Sequence, residues 1–208
     1  MKVAFTSDFP VTDAACKQAS GKSLKDWFKE IDGRDDLQAK RREAIQWMYD
    51  TIGKKDIWWP TTIWVEYERT RGIVNKKDGL IEGFNICVTK TIAAPLAGVY
   101  KAWTNSKSLG QWFGDSITAK VADSGTFDDG DGHSGEFLRV RADKDLRFSW
   151  RDPSASAPTL VDVVFQDKGK GKTGLMLNHQ RIQNRPEADG LRKAWGEAFD
   201  ALKSLLET

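Results

Sequence analysis

Apolar and polar side chains alternate along the segment around residue 86, in the pattern of a half-buried β-strand. Phe84, Ile86 and Val88 occupy one side of this segment, while polar or small residues occupy the other. The alternation stops near Ala94 and Pro95. Because the first helical turn leaves backbone N–H groups unused, a proline there loses nothing. The pattern therefore predicts an antiparallel strand that leads directly into a helix.

Two short helical segments follow this strand. The first carries Val99 and Trp103 on one side, a spacing typical of a helix with one buried face. The second is predicted to begin at a Ser108 N-cap and to end after the aromatic pair Trp112 and Phe113. Both helices are thus expected to turn aromatic side chains toward a core.

Six further segments alternate after residue 114, and together with the first strand they predict a sheet of about seven strands. Asp131 and Gly132 are predicted to form a two-residue hairpin turn, because both residue types tolerate positive φ. The run from Lys168 to Lys172 predicts another turn. The six segments cover residues 116–122, 125–130, 134–141, 146–151, 159–166 and 173–182.

The C-terminal segment has the most regular helical period in the chain. Apolar residues recur at intervals of three and four, and charged residues fill the other side. Burying such a stripe contributes on the order of 10 kcal/mol gross, so we expect this helix to be part of the core. The apolar stripe comprises Leu191, Trp195, Ala198, Phe199, Leu202, Leu205 and Leu206.

Three short amphipathic helices are predicted ahead of the strands. The first follows Ser23, which forms an approximate capping box with Asp26. The second and third cover about residues 37–52 and 60–71. Residues 1–20 show no clear period and are expected to form a loosely structured arm.

The opening of the strand region resembles a known superfamily. Residues 90–105, KTIAAPLAGVYKAWTN, and residues 111–114, QWFG, are similar to the start of START-like, or SRPBCC (birch-pollen-allergen-like), domains. The nearest branch is that of the homologues of the activator of the heat-shock-protein ATPase (AHSA). The resemblance implies an α+β helix-grip fold: a curved antiparallel sheet of about seven strands around a long C-terminal helix, with a cavity between them. This fold hosts binders, cyclases and chaperone cofactors, so it does not specify a function.

The N-terminal region has a resemblance of its own. Residues 21–28, GKSLKDWF, and 58–72, WWPTTIWVEYERTRG, resemble a small helical module of unknown function that occurs joined to AHSA-like domains. We therefore predict an N-terminal three-helix module over residues 1–75 and a START-like helix-grip domain over residues 83–208. Residues 74–83 are expected to be the linker.

Composition and charge mainly argue against particular classes of function. The net charge is only +2, and basic and acidic residues nearly balance along the chain, which argues against a nucleic-acid partner. There is no signal-peptide pattern and no apolar run of about 18–20 residues, so we expect a cytoplasmic protein without a membrane partner. Cys16 and Cys87 lack metal-ligand spacing and are expected to be reduced thiols, the alternative being a disulfide or a reactive thiol.

Two short motifs allow a catalytic or metal-binding interpretation beside a structural one. Residues 19–23 end like a phosphate-binding loop, but Cys16 replaces the first glycine, and a helix start explains the same residues. The acidic residues between 128 and 136 resemble a calcium loop, yet His133 and Ser134 replace a ligand and the turn glycine. A solvated hairpin tip is favoured. We predict no metal and no cofactor.

The two histidines lack the spacing of a zinc site. His133 is expected to be an exposed turn residue. His179 shares a strand face with Leu175 and Leu177, so we expect either a hydrogen-bonded interior histidine or a polar anchor or acid–base group facing a cavity. Since no partner for His179 and no G-x-S-x-G elbow is present, we predict no catalytic residue and do not favour an enzyme.

The aromatic residues are the main indication of a binding site. The chain has nine tryptophans, and the helix-grip resemblance brings many of its aromatic rings around the cavity. Ordinary core packing also accounts for them. The predicted ligand-binding residues are Trp103, Trp112, Phe113, Phe137, Phe148, Trp150, His179, Trp195 and Phe199.

Three functions therefore compete. The favoured one is binding of a small hydrophobic or amphipathic molecule between the sheet and the C-terminal helix. The second is a protein-interaction or co-chaperone-like module, which binds a protein partner or forms a homodimer through the N-terminal helices, with Trp58 and Trp59 as the candidate surface. The third is a cyclase- or hydrolase-type enzyme that uses the same cavity.

Overall fold

The computed structural model describes residues 1–38, 40–75 and 77–207. Contacts between residues divide the chain into two compact units. The helix-grip unit comprises Met1–Thr6, Asn85–Ile182 and Pro186–Thr208, and the helical unit comprises Ser7–Phe84 and Gln183–Arg185. The domain boundaries predicted from the sequence remain a prediction.

Among its described residues, the helical unit contains four helices rather than three. The additional helix, α1, lies in the second part of the loosely structured arm expected over residues 1–20, so that expectation was wrong for residues 13–20. Thr12 caps α1 by accepting a hydrogen bond from the Ala15 N–H, and Cys16 is the one buried residue of the helix, too weak a signal to give a period. The helices are α1 Asp13–Ser20, α2 Leu24–Asp32, α3 Arg41–Thr51 and α4 Trp58–Arg71.

The start of α2 confirms the structural interpretation of residues 19–23. The Ser23 hydroxyl accepts from the Asp26 N–H, and the Asp26 carboxylate accepts from the Ser23 N–H, which completes a capping box. Helix α1, not a strand, precedes this turn. The residues that resemble a phosphate-binding loop therefore form a helix N-terminus.

Trp58 and Trp59 do not form the exposed surface expected from the sequence. Trp59 is buried and its ring stacks on Phe9 at 4.7 Å, while Trp58 is half-buried with the Arg185 guanidinium 4.7 Å from its ring. Trp59 is one of the eight buried residues of α4, and Trp58 also packs against Phe84, with ring centroids 6.4 Å apart. The predicted interaction surface at this pair was wrong.

A buried ion pair connects α3 to α4. Both carboxylate oxygens of Glu68 accept from Arg41 Nη1 at 2.9 Å, and Trp64 Nε1 donates to the same carboxylate at 2.8 Å. Arg41 also donates to the Gly83 carbonyl. Glu68 is almost fully buried, so its charge depends on these donors.

The helix-grip unit has the predicted architecture. Its seven strands form one curved antiparallel sheet in the order β1-β7-β6-β5-β4-β3-β2, with one long C-terminal helix. The strands are β1 Phe84–Ile92, β2 Thr118–Ala119, β3 Thr126–Asp128, β4 Ser134–Arg141, β5 Asp145–Trp150, β6 Thr159–Gly169 and β7 Lys172–Ile182. The helices of this unit are α5 Leu96–Thr104, α6 Ser106–Gly110 and α7 Arg185–Leu206.

Local details differ from the prediction at three places. Helix α6 begins earlier than expected, because Asn105 and not Ser108 is its N-cap and accepts from the Ser108 N–H at 3.1 Å. Strand β2 has only two residues, since the chain turns directly after it: the Ala122 N–H bonds to the Lys120 carbonyl, and the Gly125 N–H bonds to the Ala122 carbonyl. The β3–β4 turn is longer than the predicted two residues, with positive φ at Gly130 and Gly132 but not at Asp131.

The first residues of the chain pack on α7. A Cβ atom at Gly190 would lie 2.3 Å from the Ala4 carbonyl oxygen, so only glycine allows this approach. The contact explains why residues 1–6 belong to the helix-grip unit although the helical unit follows them in sequence.

We expect the variant Arg41→Ala to lower the free energy of unfolding of the helical unit by about 3–5 kcal/mol, because it leaves the Glu68 charge buried without its main partner. Urea unfolding followed by circular dichroism measures the loss. The neighbouring, exposed Arg42→Ala variant is the matched control and should change it by less than about 0.5 kcal/mol. Equal effects of the two variants would contradict this account.

Candidate functional site

The structure gathers all nine predicted ligand-binding residues in the interior of the helix-grip unit. Each of them is buried. They come from α5, the turn after α6, β4, β5, β7 and α7. Seven of the rings form one network with centroid separations of 4.8 to 6.4 Å, and the pair Phe137 and Phe148 joins it through Phe127. Phe127 of β3, which was not predicted, belongs to the same network and lies 5.5 Å from Phe148. Whether these residues bind a ligand remains a prediction.

Trp195 is the centre of this network. Its ring lies 5.5 Å from Trp150, 5.8 Å from Phe113 and 6.3 Å from Trp103, and none of its surface is exposed. The helical period of α7 places Trp195 and Phe199 on the face that is buried against the sheet. The aromatic cluster therefore joins α7 to α5, to β5 and to the turn after α6.

His179 is held in this cluster as a neutral ring. Trp195 Nε1 donates to His179 Nδ1 at 3.0 Å, so the proton of the neutral ring is on Nε2, which donates to Thr159 Oγ1 at 2.6 Å. Complete burial lowers the pKa of His179 from 6.5 to about 3. Because both ring nitrogens are already hydrogen-bonded, the structure favours the interior histidine over the alternative of an acid–base group.

His133 is not the exposed turn residue that was expected. Its side chain is buried, with Nδ1 2.6 Å from Asp129 Oδ2 and Nε2 3.0 Å from Asp152 Oδ2, and its ring stacks on Trp150 at 4.9 Å. Asp129 also accepts from backbone N–H groups of the β3–β4 turn. The sequence could not reveal this bridge, because Asp152 follows β5 and is distant from His133 along the chain.

A small cavity of about 20 Å³ adjoins the aromatic network. It has room for about one water-sized molecule. Four of the predicted residues line it, together with four apolar residues that were not predicted, from α6, the following turn, β2 and β3. The lining consists of Trp103, Phe113, Phe137 and Phe148, and of Leu109, Ile117, Ala119 and Phe127.

The other five predicted residues pack behind the lining. Trp112 Nε1 donates to the Ala102 carbonyl at 3.0 Å, and Trp195 Nε1 to His179, so these two indoles are satisfied within the protein. By contrast, the buried Nε1 groups of Trp103 and Trp150 have no hydrogen-bond partner among the described residues. Of these two indoles, only Trp103 lines the cavity.

Two larger concave regions of the helix-grip unit lie outside its core. One, of about 660 Å³, extends over β2 to β5 and includes Asp128, Glu136 and Arg151; the other, of about 510 Å³, lies over β1, β7 and β6 and includes Lys90 and Lys203. The first has a mainly polar lining, and the second combines apolar side chains with several lysines. We regard the smaller cavity as the better candidate site, because its lining is almost wholly apolar and one lining residue, Trp103, carries a buried donor without a partner.

Neither a metal site nor a membrane span is evident in the described part of the chain. No group of three or more histidine, cysteine, aspartate or glutamate side chains is arranged there to hold a metal ion. None of the helices described is both long and apolar enough to cross a membrane. Both cysteines are free thiols, Cys16 buried and Cys87 exposed.

Comparisons with known proteins agree with this architecture. The family model described as Activator of Hsp90 ATPase homolog 1-like protein matches residues 93–207. No curated protein gives a significant sequence match. Solved structures of similar fold include CalU16 from Micromonospora echinospora, with 22% identity, a TM-score of 0.54 and coverage of 59% of this chain and 75% of that one.

Two further similar structures come from chaperone-related proteins. PFC0360w, an HSP90 activator from Plasmodium falciparum, has 18% identity and a TM-score of 0.53, over 60% of this chain and 96% of that one. The Aha1 dimer from Colwellia psychrerythraea has 17% identity and a TM-score of 0.54, over 60% and 96% respectively. At these identities the similarity establishes the fold alone.

We expect His179 to make the protein less stable in acid. Below pH 6.5 the unfolded chain binds a proton at this histidine that the folded protein does not bind, so the free energy of unfolding falls as pH decreases toward about 3. The slope from this group is about 1.4 kcal/mol per pH unit. Urea unfolding of the parent and of His179→Gln between pH 7 and 5 measures it, and the variant should lack this contribution.

NMR of the folded parent protein provides a second measurement that needs no variant. The His179 ring signals should not move between pH 7.5 and 4.5, because the ring stays neutral. A titration midpoint near 6.5 would contradict the described hydrogen bonding.

Proposed function

The chain belongs to the Activator of Hsp90 ATPase homolog 1-like family, and from this premise we propose that it binds a small apolar molecule in the cavity beside Trp103, Phe113 and Phe148. The observation that carries the proposal is a space with almost wholly apolar walls beside the aromatic cluster of the helix-grip unit. Few polar groups and many aromatic walls are the usual composition of small-molecule sites.

The size of the cavity requires that the ligand opens it. Ordinary sites for drug-sized molecules have about 300–1,000 Å³, whereas this cavity has about 20 Å³. One wall is suited to movement, because residues 111–117 connect α6 to a strand of only two residues, and Ile117 and Ala119 are half-buried. Segments with few ladder hydrogen bonds open at lower free-energy cost than core strands.

The opposite wall is rigid by comparison. Phe137 and Phe148 face each other across β4 and β5 with ring centroids 5.6 Å apart, and both strands are paired in the sheet. A ligand would therefore displace the segment at Ile117 and Ala119 and rest against the phenylalanine rings. This arrangement supports binding by local opening rather than entry into a preformed pocket.

We expect ethylbenzene to raise the melting temperature of the protein in a saturable manner. At a free concentration 100 times its Kd, a ligand that binds only the folded state adds about 2.7 kcal/mol to the free energy of unfolding. Differential scanning calorimetry with increasing ethylbenzene measures this. The variant Ala119→Phe, which fills the cavity, should remove the shift.

The matched control is Thr118→Phe. Thr118 is the exposed neighbour of Ala119 on β2 and lies outside the cavity lining, so the shift should persist in this variant. Absence of any shift in the parent, or an unchanged shift in Ala119→Phe, would contradict the proposed site.

A second candidate function is stimulation of an Hsp90-type chaperone. The family description and the printed name of the Plasmodium protein favour it. In the helix-grip unit, however, the large hydrophobic residues that stand exposed, Leu138 and Met176, lie on β4 and β7 and are separated by β5 and β6. They do not form a continuous apolar patch, so the geometry gives this candidate less support.

An ATP hydrolysis assay separates the two candidates. If the protein acts on such a chaperone, the purified chain should raise the steady-state ATPase rate of an Hsp90 added in equal amount. Our account expects the rate to stay unchanged while ethylbenzene still stabilises the protein.

A further inference from the structure

The side chains that line the cavity offer a ligand a single kind of polar interaction. Among the described residues that line it, Trp103 has the only side chain with a polar atom, the indole Nε1–H. The other lining side chains are hydrocarbon. No charged side chain and no side-chain hydrogen-bond acceptor belongs to the lining.

The Trp103 donor is buried and unsatisfied. Trp103 is 3% exposed, and its Nε1 has no hydrogen-bond partner within the described part of the protein. A buried donor without a partner is unfavourable, and native structures rarely retain one. The indoles of Trp112 and Trp195 in the same cluster have acceptors, whereas Trp150, which does not line the cavity, resembles Trp103 in lacking one among the described residues.

A single water molecule is a poor partner for this donor. Internal waters usually make about three hydrogen bonds to the protein. A water in this cavity would find one side-chain donor and no side-chain acceptor. An organic ligand whose one acceptor faces Trp103, and whose remaining surface is apolar, matches the lining better.

We propose that the ligand of this cavity is a neutral molecule with an apolar, aromatic-sized body and one oxygen acceptor, a carbonyl or ether, that accepts a hydrogen bond from Trp103 Nε1–H. This inference rests on the proposed function and adds the chemical class of the ligand. A carboxylate or an ammonium group is disfavoured, because no opposite charge is present to offset its loss of water. A ligand with strong hydrogen-bond donors is disfavoured because the lining has no side-chain acceptors.

The experiment compares two probes of nearly equal shape. Acetophenone carries a carbonyl oxygen where α-methylstyrene carries a methylene group, so the pair differs mainly in the acceptor. We expect the full-length protein to bind acetophenone about 3- to 10-fold more tightly, the range of one net hydrogen bond. Titration followed by ¹H–¹⁵N spectra gives both Kd values.

The same spectra report on the donor directly. The Trp103 indole resonance, identified as the one missing from Trp103→Phe, should move downfield with acetophenone and not with α-methylstyrene. In Trp103→Phe the two probes should bind with equal affinity. Tyr100→Phe is the matched control: Tyr100 lies one turn earlier on α5 and contacts Phe165, as Trp103 does, but it lies outside the lining.

The outcomes distinguish this inference from the function on which it rests. Equal affinity of the parent for both probes, with no downfield movement of the Trp103 resonance, overturns the role of the donor while binding itself stands. Failure of both probes to bind overturns the inference together with the proposed site. Tyr100→Phe should prefer acetophenone over α-methylstyrene as strongly as the parent does. If this variant lost the preference, Trp103 would not be its source.

Discussion

The burial of the Trp195 indole is the interaction on which the helix-grip unit depends. This one side chain contacts rings from α5, from the turn after α6 and from β5, and it donates a hydrogen bond to His179 on β7. The hydrogen bond requires an unprotonated Nδ1, so the same burial that stabilises the fold also keeps His179 neutral. Packing and protonation state are therefore linked at the centre of the unit.

The aromatic cluster also explains the size and position of the cavity. Large rings fill most of the space between α7 and the sheet. The remaining space lies beside β3 to β5, where it is covered by α6, the segment after it and the two-residue strand β2. A ligand there would meet rigid rings on one side and a short, weakly paired segment on the other. Family membership gives the fold, whereas the ligand depends on the few side chains that reach this space.

Much of the fold could be predicted from the periodicity of the sequence, and the predictions that were wrong have physical causes. The strand alternation and the stripe of α7 reflect burial on one face, so both were predictable. Helix α1 escaped prediction because one buried residue, Cys16, gives no period. The N-cap of α6 was misplaced because Asn105 and Ser108 are both good capping residues, and the sequence does not distinguish between them.

The site was predictable in part for similar reasons. Aromatic residues on apolar faces were expected to pack together between the sheet and α7. The sequence could not distinguish those that line a space from those that pack behind it. Ile117 and Ala119 are small or isolated apolar residues, and their place in the wall depends on where β2 ends. The buried bridge of His133 joins two turns that no sequence pattern connects.

Xenon binding tests the central claim most directly, because dry apolar cavities in proteins take up this gas without any polar contact. Crystals of the full-length protein pressurised with xenon should show one strong anomalous peak between the rings of Trp103, Phe113 and Phe148, enclosed by Ile117 and Ala119. Xenon found only at the surface, with none in the interior of the helix-grip unit, would contradict a ligand site at this position.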